Sequence, residues 1–299
     1  MLYHLVAFIV VAIWGSTFVF TKMLLLAGLT PAQIFTIRFL IAYVLLFAYQ
    51  LYTTRFSLTS HLFCKSWRDE LLMVSLGITG GSVYFLAENA AMLYTTATNT
   101  SLIVCSCPLF AMLLVALFYR QSEPITRMKT IGSIVACMGM AVVVLNGHFV
   151  LHLSPKGDLL AFGACLCWAL YSLFIKAAVE RYDNLFITRK VFFYGLLTMI
   201  PYYLLRPEEA NLSNLPSFNS SILFNILFLA VVASLLCYLV WNWVIKKLGA
   251  VVATNWVYFN PITTIVFAWW ILNEQITPWF LLGTALILVG MYLADQKRS

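Results

Sequence analysis

The chain has 299 residues, 63% of them hydrophobic and 10% charged, with a formal net charge of +7 and a mean hydropathy of +0.92. A water-soluble domain carries about 25% charged residues, so the composition excludes one and points to a polytopic protein whose main partner is the lipid bilayer. The basic residues are scattered over short loops, which leaves no concentrated patch for nucleic acid.

Apolar runs and their breakers predict ten spans in chain order, at 3–23, 31–51, 70–92, 97–119, 127–146, 157–178, 185–204, 220–246, 250–272 and 277–295. Each approaches the roughly 20 residues that a helix needs to cross about 30 Å of hydrocarbon. The first run follows no basic leader and is too long for a signal-peptide core, so it is expected to remain as a permanent span. Thr30-Pro31 opens the second helix and Gly147 closes the fifth. Ser154-Pro155-Lys156-Gly157-Asp158 then links two halves.

Those halves repeat one another. Trp14 and Lys22 recur as Trp168 and Lys176, Arg38 as Arg189, Asn89 as Asn242, and Pro108 as Pro261. Gly132 with Gly139 recurs as Gly283 with Gly290, and all offsets lie between 151 and 154. The units are 1–147 and 157–295, each with five spans. An odd number of spans forces the second copy to enter the membrane inverted, which is the plan of secondary transporters that rock two halves about a midplane site.

The basic residues set the orientation. With the N-terminus in the cytoplasm, the inner loops and tail hold Arg55, Lys65, Arg68, Arg120, Arg127, Lys129, Arg181, Lys246, Lys247, Lys297 and Arg298. The outer side holds Lys156 and Arg206, with Lys22 near its edge. The expectation is a multi-pass protein of the cell inner membrane with both termini cytoplasmic.

The string Trp14-Gly15-Ser16-Thr17-Phe18, with Trp168 and Lys176 as its counterpart, resembles the EamA-type module. So do Tyr94-Thr95-Thr96-Ala97 leading to Pro108-Leu109-Phe110, and Val251-Val252-Ala253 leading to Asn260-Pro261. Glu123-Pro124 before Gly132 and Gly139, and Glu274 before Gly283 and Gly290, extend the resemblance over nearly the whole chain. It implies the drug/metabolite transporter superfamily: an all-α fold of ten transmembrane helices in two inverted five-helix repeats around a central cavity. It also implies a secondary transporter, in many members an exporter of amino acids or related small polar metabolites.

Ionisable groups inside a membrane are costly and usually functional. Glu88 follows the charge-free run 71–87, and Tyr84 lies one turn before it on the same face. Glu88 is expected either to bind a substrate ammonium, carry a coupling proton or do both in alternation, or to serve as a structural carboxylate paired with Arg38 or with a backbone group near the outer interface. Arg38 and Arg189 suit a substrate carboxylate, but their recurrence argues for a shared architectural duty such as reaching an interface. Amides and rings complete the candidate cavity: Trp14 and Thr17, Trp168 and Tyr171, Asn89, Trp241 and Asn242, then Asn255, Tyr258 and Asn260. Amides in lipid must face protein or water. The glycine pairs are read as close helix contacts. Pro108 and Pro261 each remove a backbone hydrogen bond, either as pivots or to shape the cavity. Trp269, Trp270 and Trp279 read as an interfacial belt.

Neither a cofactor nor a metal is expected. The chain has no GxxxxGK[ST] phosphate loop, and Cys105-x-Cys107 and Cys165-x-Cys167 point to opposite sides of their helices. His148 and His152 lack a third ligand nearby in sequence. Sequons begin at Asn99, Asn211 and Asn219 and matter only if outer loops are glycosylated. The alternatives to transport are an intramembrane enzyme, which would need a clustered catalytic set, and a non-transporting receptor or scaffold, which would usually carry larger soluble loops. No enzymatic activity is expected.

Overall fold

The computed structural model describes residues 2–53, 62–95, 97–119, 126–145, 154–210, 219–272 and 278–295. Gly147, His148, His152, Glu123, Pro124, Asn211 and Glu274, all singled out above, lie outside the described residues. Among those described, the chain is helical and has no strand. Among the described residues six helices are long and apolar enough to cross a membrane, and shorter apolar helices accompany them. Leu5, Leu40, Leu117, Leu204 and Trp270 are exposed on the outside of the bundle, as lipid contact requires.

The elements are α1 (Leu2–Leu26), α2 (Pro31–Thr53), α3 (Trp67–Tyr94), α4 (Ala97–Val104), α5 (Cys107–Phe118) and α6 (Arg127–Leu145). After the link come α7 (Pro155–Val179), α8 (Asn184–Leu197), α9 (Met199–Leu205) and a single turn at Pro207–Ala210. The chain closes with α10 (Ser220–Leu248), α11 (Ala250–Asn255), α12 (Asn260–Leu272) and α13 (Pro278–Asp295). The helix starts follow the capping rules. Ser66 caps α3 through Asp69 N, Asp183 caps α8 through Phe186 N, and Asn219 caps α10 through Ile222 N. Ser154 caps α7, with Pro155 in its first turn.

Three of the expected continuous spans are broken. The 97–119 span turns at Cys105 and Ser106, so Pro108 sits in the first turn of α5, where its missing N–H costs nothing. The 185–204 span breaks at Thr198, because Pro201 cannot donate to the carbonyl four residues back. The 250–272 span tightens into a 3₁₀ turn at Trp256–Phe259 just before Pro261. Two further irregularities were not foreseen: α3 widens into a π-helix at Ile78–Ser82, and α10 does so at Phe228–Leu236. These wide turns occupy matching places in the two halves, 153 residues apart at Ile78 and Val231.

The halves interleave. The second part of α3 packs on α7, α1 packs on α12, and α2 crosses the wide turn of α10. The glycines that recur between the copies also meet. A Cβ on Gly132 would strike the backbone of Gly290 and Ala294, and one on Gly139 would strike Ile287 and the carbonyl of Gly283. α6 and α13 therefore touch backbone to backbone, in a setting where lipid offers no hydrophobic drive for helix association.

Candidate functional site

The two π turns position the side chains at the centre of the bundle. In α10, the Ala233 carbonyl accepts from Trp14 Nε1 (2.9 Å), and the neighbouring Ser234 Oγ accepts from Arg38 Nε (2.9 Å). In α3, the Gly80 carbonyl accepts from the Tyr238 hydroxyl. A Cβ on Gly80 would collide with the ring of Tyr171, so this wide turn requires glycine. Widened turns of this kind recur at functional sites because they aim groups away from the regular ladder. On α1, Gly15 lets α12 approach until Thr264 Oγ1 donates to its carbonyl (2.7 Å).

Around these anchors lies a cavity with about 30 Å³ of water-sized space, room for about two water molecules. Trp14, Thr17, Tyr84, Glu88 and Trp168, all expected from the sequence, line it together with Arg38, Phe85, Tyr238 and Asn260. The rings form a continuous wall. Trp14 lies 5.2 Å from Trp168, and Trp168 lies 5.1 Å from Tyr84, measured between centroids. Trp168 Nε1 and Asn260 Oδ1 are buried there without a hydrogen-bond partner among the described residues, a state that costs about 1–3 kcal/mol per group in a static protein.

The charges are the decisive feature. Glu88 is 7% exposed, and its partner among the described residues is Tyr84, whose hydroxyl donates at 2.8 Å. Arg38 is 3% exposed, with its guanidinium 4.4 Å above the Phe85 ring and its Nε on Ser234. Arg38 therefore does not reach an interface, which corrects that form of the architectural expectation, while its bond to Ser234 ties α2 to α10. Both charges line one cavity, yet no ion pair within 4.0 Å joins them, so the structural pairing considered above is absent.

The remaining expected residues stand elsewhere. Trp241 is fully buried behind Trp14, with centroids 4.9 Å apart. The Tyr171 hydroxyl donates to Asn242 Oδ1 (2.8 Å), and Asn242 Nδ2 donates to Thr188 on α8. Asn89 Nδ2 donates to the Pro31 carbonyl at the start of α2. Each matched amide thus ties the third helix of its half to the second. Asn255 opens on a different pocket with His4 and Trp256, and its Oδ1 accepts from Ser133. The Tyr258 hydroxyl is buried without a partner outside the central lining. Sequence reading missed Tyr238 and Phe85, because a ring inside an apolar span carries no signal of which way it faces.

A second polar cluster, absent from the sequence expectations, lies at the end of the bundle where α3 begins and α7 ends. Asp69 accepts from Arg181 Nη1 (2.7 Å), the Tyr182 hydroxyl (2.9 Å) and Ser66 Oγ (2.9 Å). Glu70 accepts from Lys190 Nζ, from the Tyr194 hydroxyl and from Cys64 N (2.7 Å). Arg189 Nη1 donates to Gln50 Oε1 (2.8 Å). Tyr182 lies just beyond α7, where burial and the Asp69 carboxylate push its hydroxyl up to about 12, although the Lys65 N–H that it accepts pulls the other way.

The comparisons with known proteins agree with this architecture. The model of the EamA-like transporter family matches residues 1–145 and again 155–294. An uncharacterized transporter of Archaeoglobus fulgidus is 26% identical over 99% of this chain and 98% of its own length. A probable amino-acid metabolite efflux pump of Salmonella typhimurium is 25% identical over 96% of this chain and 92% of its own. A probable terminal-alkyne amino-acid exporter of Streptantibioticus cattleyicolor is 25% identical over 77% of this chain and 74% of its own. One solved crystal structure superposes with a TM-score of 0.74 at 18% identity, covering 98% of this chain and 95% of that one, and so shares the fold. With both halves matched by the same family model, the chain belongs to the EamA-like transporter family.

Proposed function

We propose that this protein is a secondary transporter that exports small zwitterionic metabolites, amino acids among them, across the cell inner membrane. The observation that carries this reading is the pair of buried, opposite, unjoined charges that line one aromatic-walled cavity. Two desolvated ions within a protein normally pair, since each costs several kcal/mol to bury alone. A zwitterion placed between them would supply the missing counter-charge at both ends, its carboxylate in the Arg38 fork and its ammonium on Glu88. Thr17, Trp168 Nε1 and Asn260 Oδ1 offer further polar contacts, and Trp14, Tyr84 and Trp168 offer ring faces. Asn89, Tyr171, Trp241 and Asn242 brace this wall from behind.

In the same reading the chain forms ten transmembrane helices, as two inverted five-helix repeats at 1–147 and 157–295 with both termini in the cytoplasm. A cavity of about 30 Å³ is too small for an amino acid, so it must widen toward one side and then the other, which is alternating access. The names of the relatives support export of amino-acid-like solutes. The test is flux into proteoliposomes loaded with unlabelled solute. Amino acids should exchange, whereas the matching amines without a carboxylate and acids without an amine should exchange at least tenfold more slowly, the loss of one charged hydrogen bond being worth about 1.5–3 kcal/mol. Equal exchange of all three classes would refute the zwitterion reading.

A further inference from the structure

The charged cluster at the start of α3 joins the two halves of the chain, and no ion pair between the halves matches it at the opposite end among the described residues. Gln50, Asp69 and Glu70 belong to the first half, while Arg181, Arg189 and Lys190 belong to the second, and the ion pairs Asp69–Arg181 and Glu70–Lys190 cross between them. The Glu70–Lys190 pair is nearly dry, with side-chain exposures of 12% and 5%. Neutral donors tighten it: Tyr194 holds Glu70, and Tyr182 bridges Asp69 to the backbone N–H of Lys65.

The repeat supplies an internal control. At the offset of 153 that relates Asn89 to Asn242, Asp69 and Glu70 fall on Ile222 and Leu223. At the offset of 154 that relates Trp14 to Trp168, Arg181 and Tyr182 fall on Ala27 and Gly28. At the offset of 151 that relates Arg38 to Arg189, Lys190 falls on Phe39. Every charge in the two crossing pairs is therefore replaced by an apolar or small residue in the other copy. The contacts that join the halves at the opposite end carry no carboxylate–cation pair among the described residues. Thr36 meets Tyr203 (2.8 Å), Gln33 Nε2 meets the Glu209 carbonyl (3.3 Å) and Lys156 meets the Tyr94 hydroxyl (2.8 Å). Beside them a groove of about 520 Å³, lined in part by Pro31, Ala90, Tyr94 and Lys156, opens to the surface.

We propose that Asp69–Arg181 and Glu70–Lys190 form an ionic latch that holds this end of the transporter shut and biases the resting cycle toward opening at the other end. The inference rests on the alternating-access reading, and it adds that the two steps of the cycle differ in energy. Opening the latched end must separate the nearly dry Glu70–Lys190 pair and, with it, the Asp69–Arg181 pair, whose arginine is 60% exposed and adds less, whereas opening the other end breaks neutral or singly charged hydrogen bonds. A solute or a gradient has to supply the difference, because a ligand shifts such an equilibrium only by its preference for one state. Two halves built from one ancestral pattern would otherwise open with similar ease at either end.

The experiment uses a cysteine-free variant carrying Thr17→Cys, so that the one thiol lines the cavity. The protein is reconstituted in vesicles of known orientation, and an impermeant maleimide is added on the side that the latch faces. With the latch intact, labelling from that side should be slow. Asp69→Asn together with Glu70→Gln should speed it about tenfold or more, the scale expected when buried charged contacts that hold one state are lost. The charge exchange Glu70→Lys with Lys190→Glu should keep labelling close to the slow rate, and it serves as the second measurement if the neutralised protein does not give a monodisperse fold. An unchanged labelling rate in the folded neutralised variant would overturn the latch, and so would a charge exchange that labels as fast as the neutralised form. Flux measured on separate, unlabelled vesicles of the parent protein, with Thr17 and the latch residues intact, keeps the two proposals apart. Faster labelling without flux of any solute retains the latch and removes the transport reading, whereas flux with unaltered labelling removes the latch alone.

Discussion

Glu70 and Glu88 lie on one helix, 18 residues apart, and have opposite surroundings. Glu70 is held by a lysine, a tyrosine and a backbone N–H, and it ties the two halves together. Glu88 faces a cavity with one tyrosine on the same helix and an arginine that forms no ion pair with it within 4.0 Å. A carboxylate with a full set of partners is a structural part, and its removal breaks a network. One left under-partnered in a dry place persists against its own desolvation cost, and that cost is what a solute or proton can relieve.

The largest effect should come from stranding the structural carboxylate. Lys190→Met keeps the length of the side chain but leaves Glu70 buried without its cation. Breaking a buried pair from one side costs about 3–5 kcal/mol, so the apparent melting temperature in detergent should fall by several degrees and expression should drop. A melting curve that matches the parent would place Glu70 in the same class as Glu88.

The converse holds for the cavity carboxylate. Glu88→Gln preserves shape and still accepts from Tyr84, while it removes a desolvated charge, so stability should stay within about 1 kcal/mol of the parent or rise. Solute exchange should fall by at least tenfold, since about 1.5–3 kcal/mol of charged hydrogen bonding to the solute is lost. Arg38→Gln should lose exchange as strongly but with a larger stability loss, because Ser234 and the Phe85 ring then lack their partner. Parent-like exchange in Glu88→Gln would return that residue to a structural role.

A smaller effect separates the hydroxyl from the ring at Tyr84. Tyr84→Phe keeps the stack on Trp168 (5.1 Å) and deletes the hydrogen bond to Glu88. The expected result is a fewfold change in apparent solute affinity with an unchanged melting temperature, as fits a bond worth about 1 kcal/mol. A melting loss as large as that of Lys190→Met would show that Tyr84 supports the fold.

Much of this was legible in the chain because repetition and hydropathy are local signals. The recurring glycines predicted a close helix contact, and Gly132 and Gly290 meet across α6 and α13. Trp14, Glu88 and Trp168 stood out as polar or amphipathic groups within apolar runs, and they share one cavity. The place of Arg38 in the cavity wall was not legible, since an arginine seven residues inside a helix can equally well extend to an interface. The distinction between Asn242, which braces α8, and Asn260, which faces the cavity, depends on helix rotation set by tertiary packing. The π turns were invisible because their cause lies partly in neighbouring helices, such as the Tyr171 ring that fills the space beside Gly80. The ionic cluster was hidden for a further reason. Its members come from separated segments, and near the ends of spans the basic ones, Arg181 and Lys190, read as ordinary positive-inside charges.

The smallest expected effect concerns Cys64, at the mouth of that cluster. Its backbone N–H donates to Glu70, and burial, followed by the Glu70 charge, pushes its thiol up to about 12. Since the thiolate is the reactive form, alkylation in the parent should be slow at neutral pH and should rise only as the pH approaches that range. The neighbouring Lys190 opposes the shift that burial and the carboxylate maintain. Glu70→Gln removes the negative charge and leaves burial and Lys190 in place, so the thiol pKa falls part of the way toward its ordinary value near 9. The alkylation profile should therefore move to lower pH, with a faster rate at pH 8 and the same plateau once both proteins are fully ionised. A faster rate with no displacement along the pH axis would mean that the substitution had only exposed the thiol. A displaced profile would show that the Glu70 carboxylate is charged where it holds the two halves together, which is the property that sets it apart from Glu88.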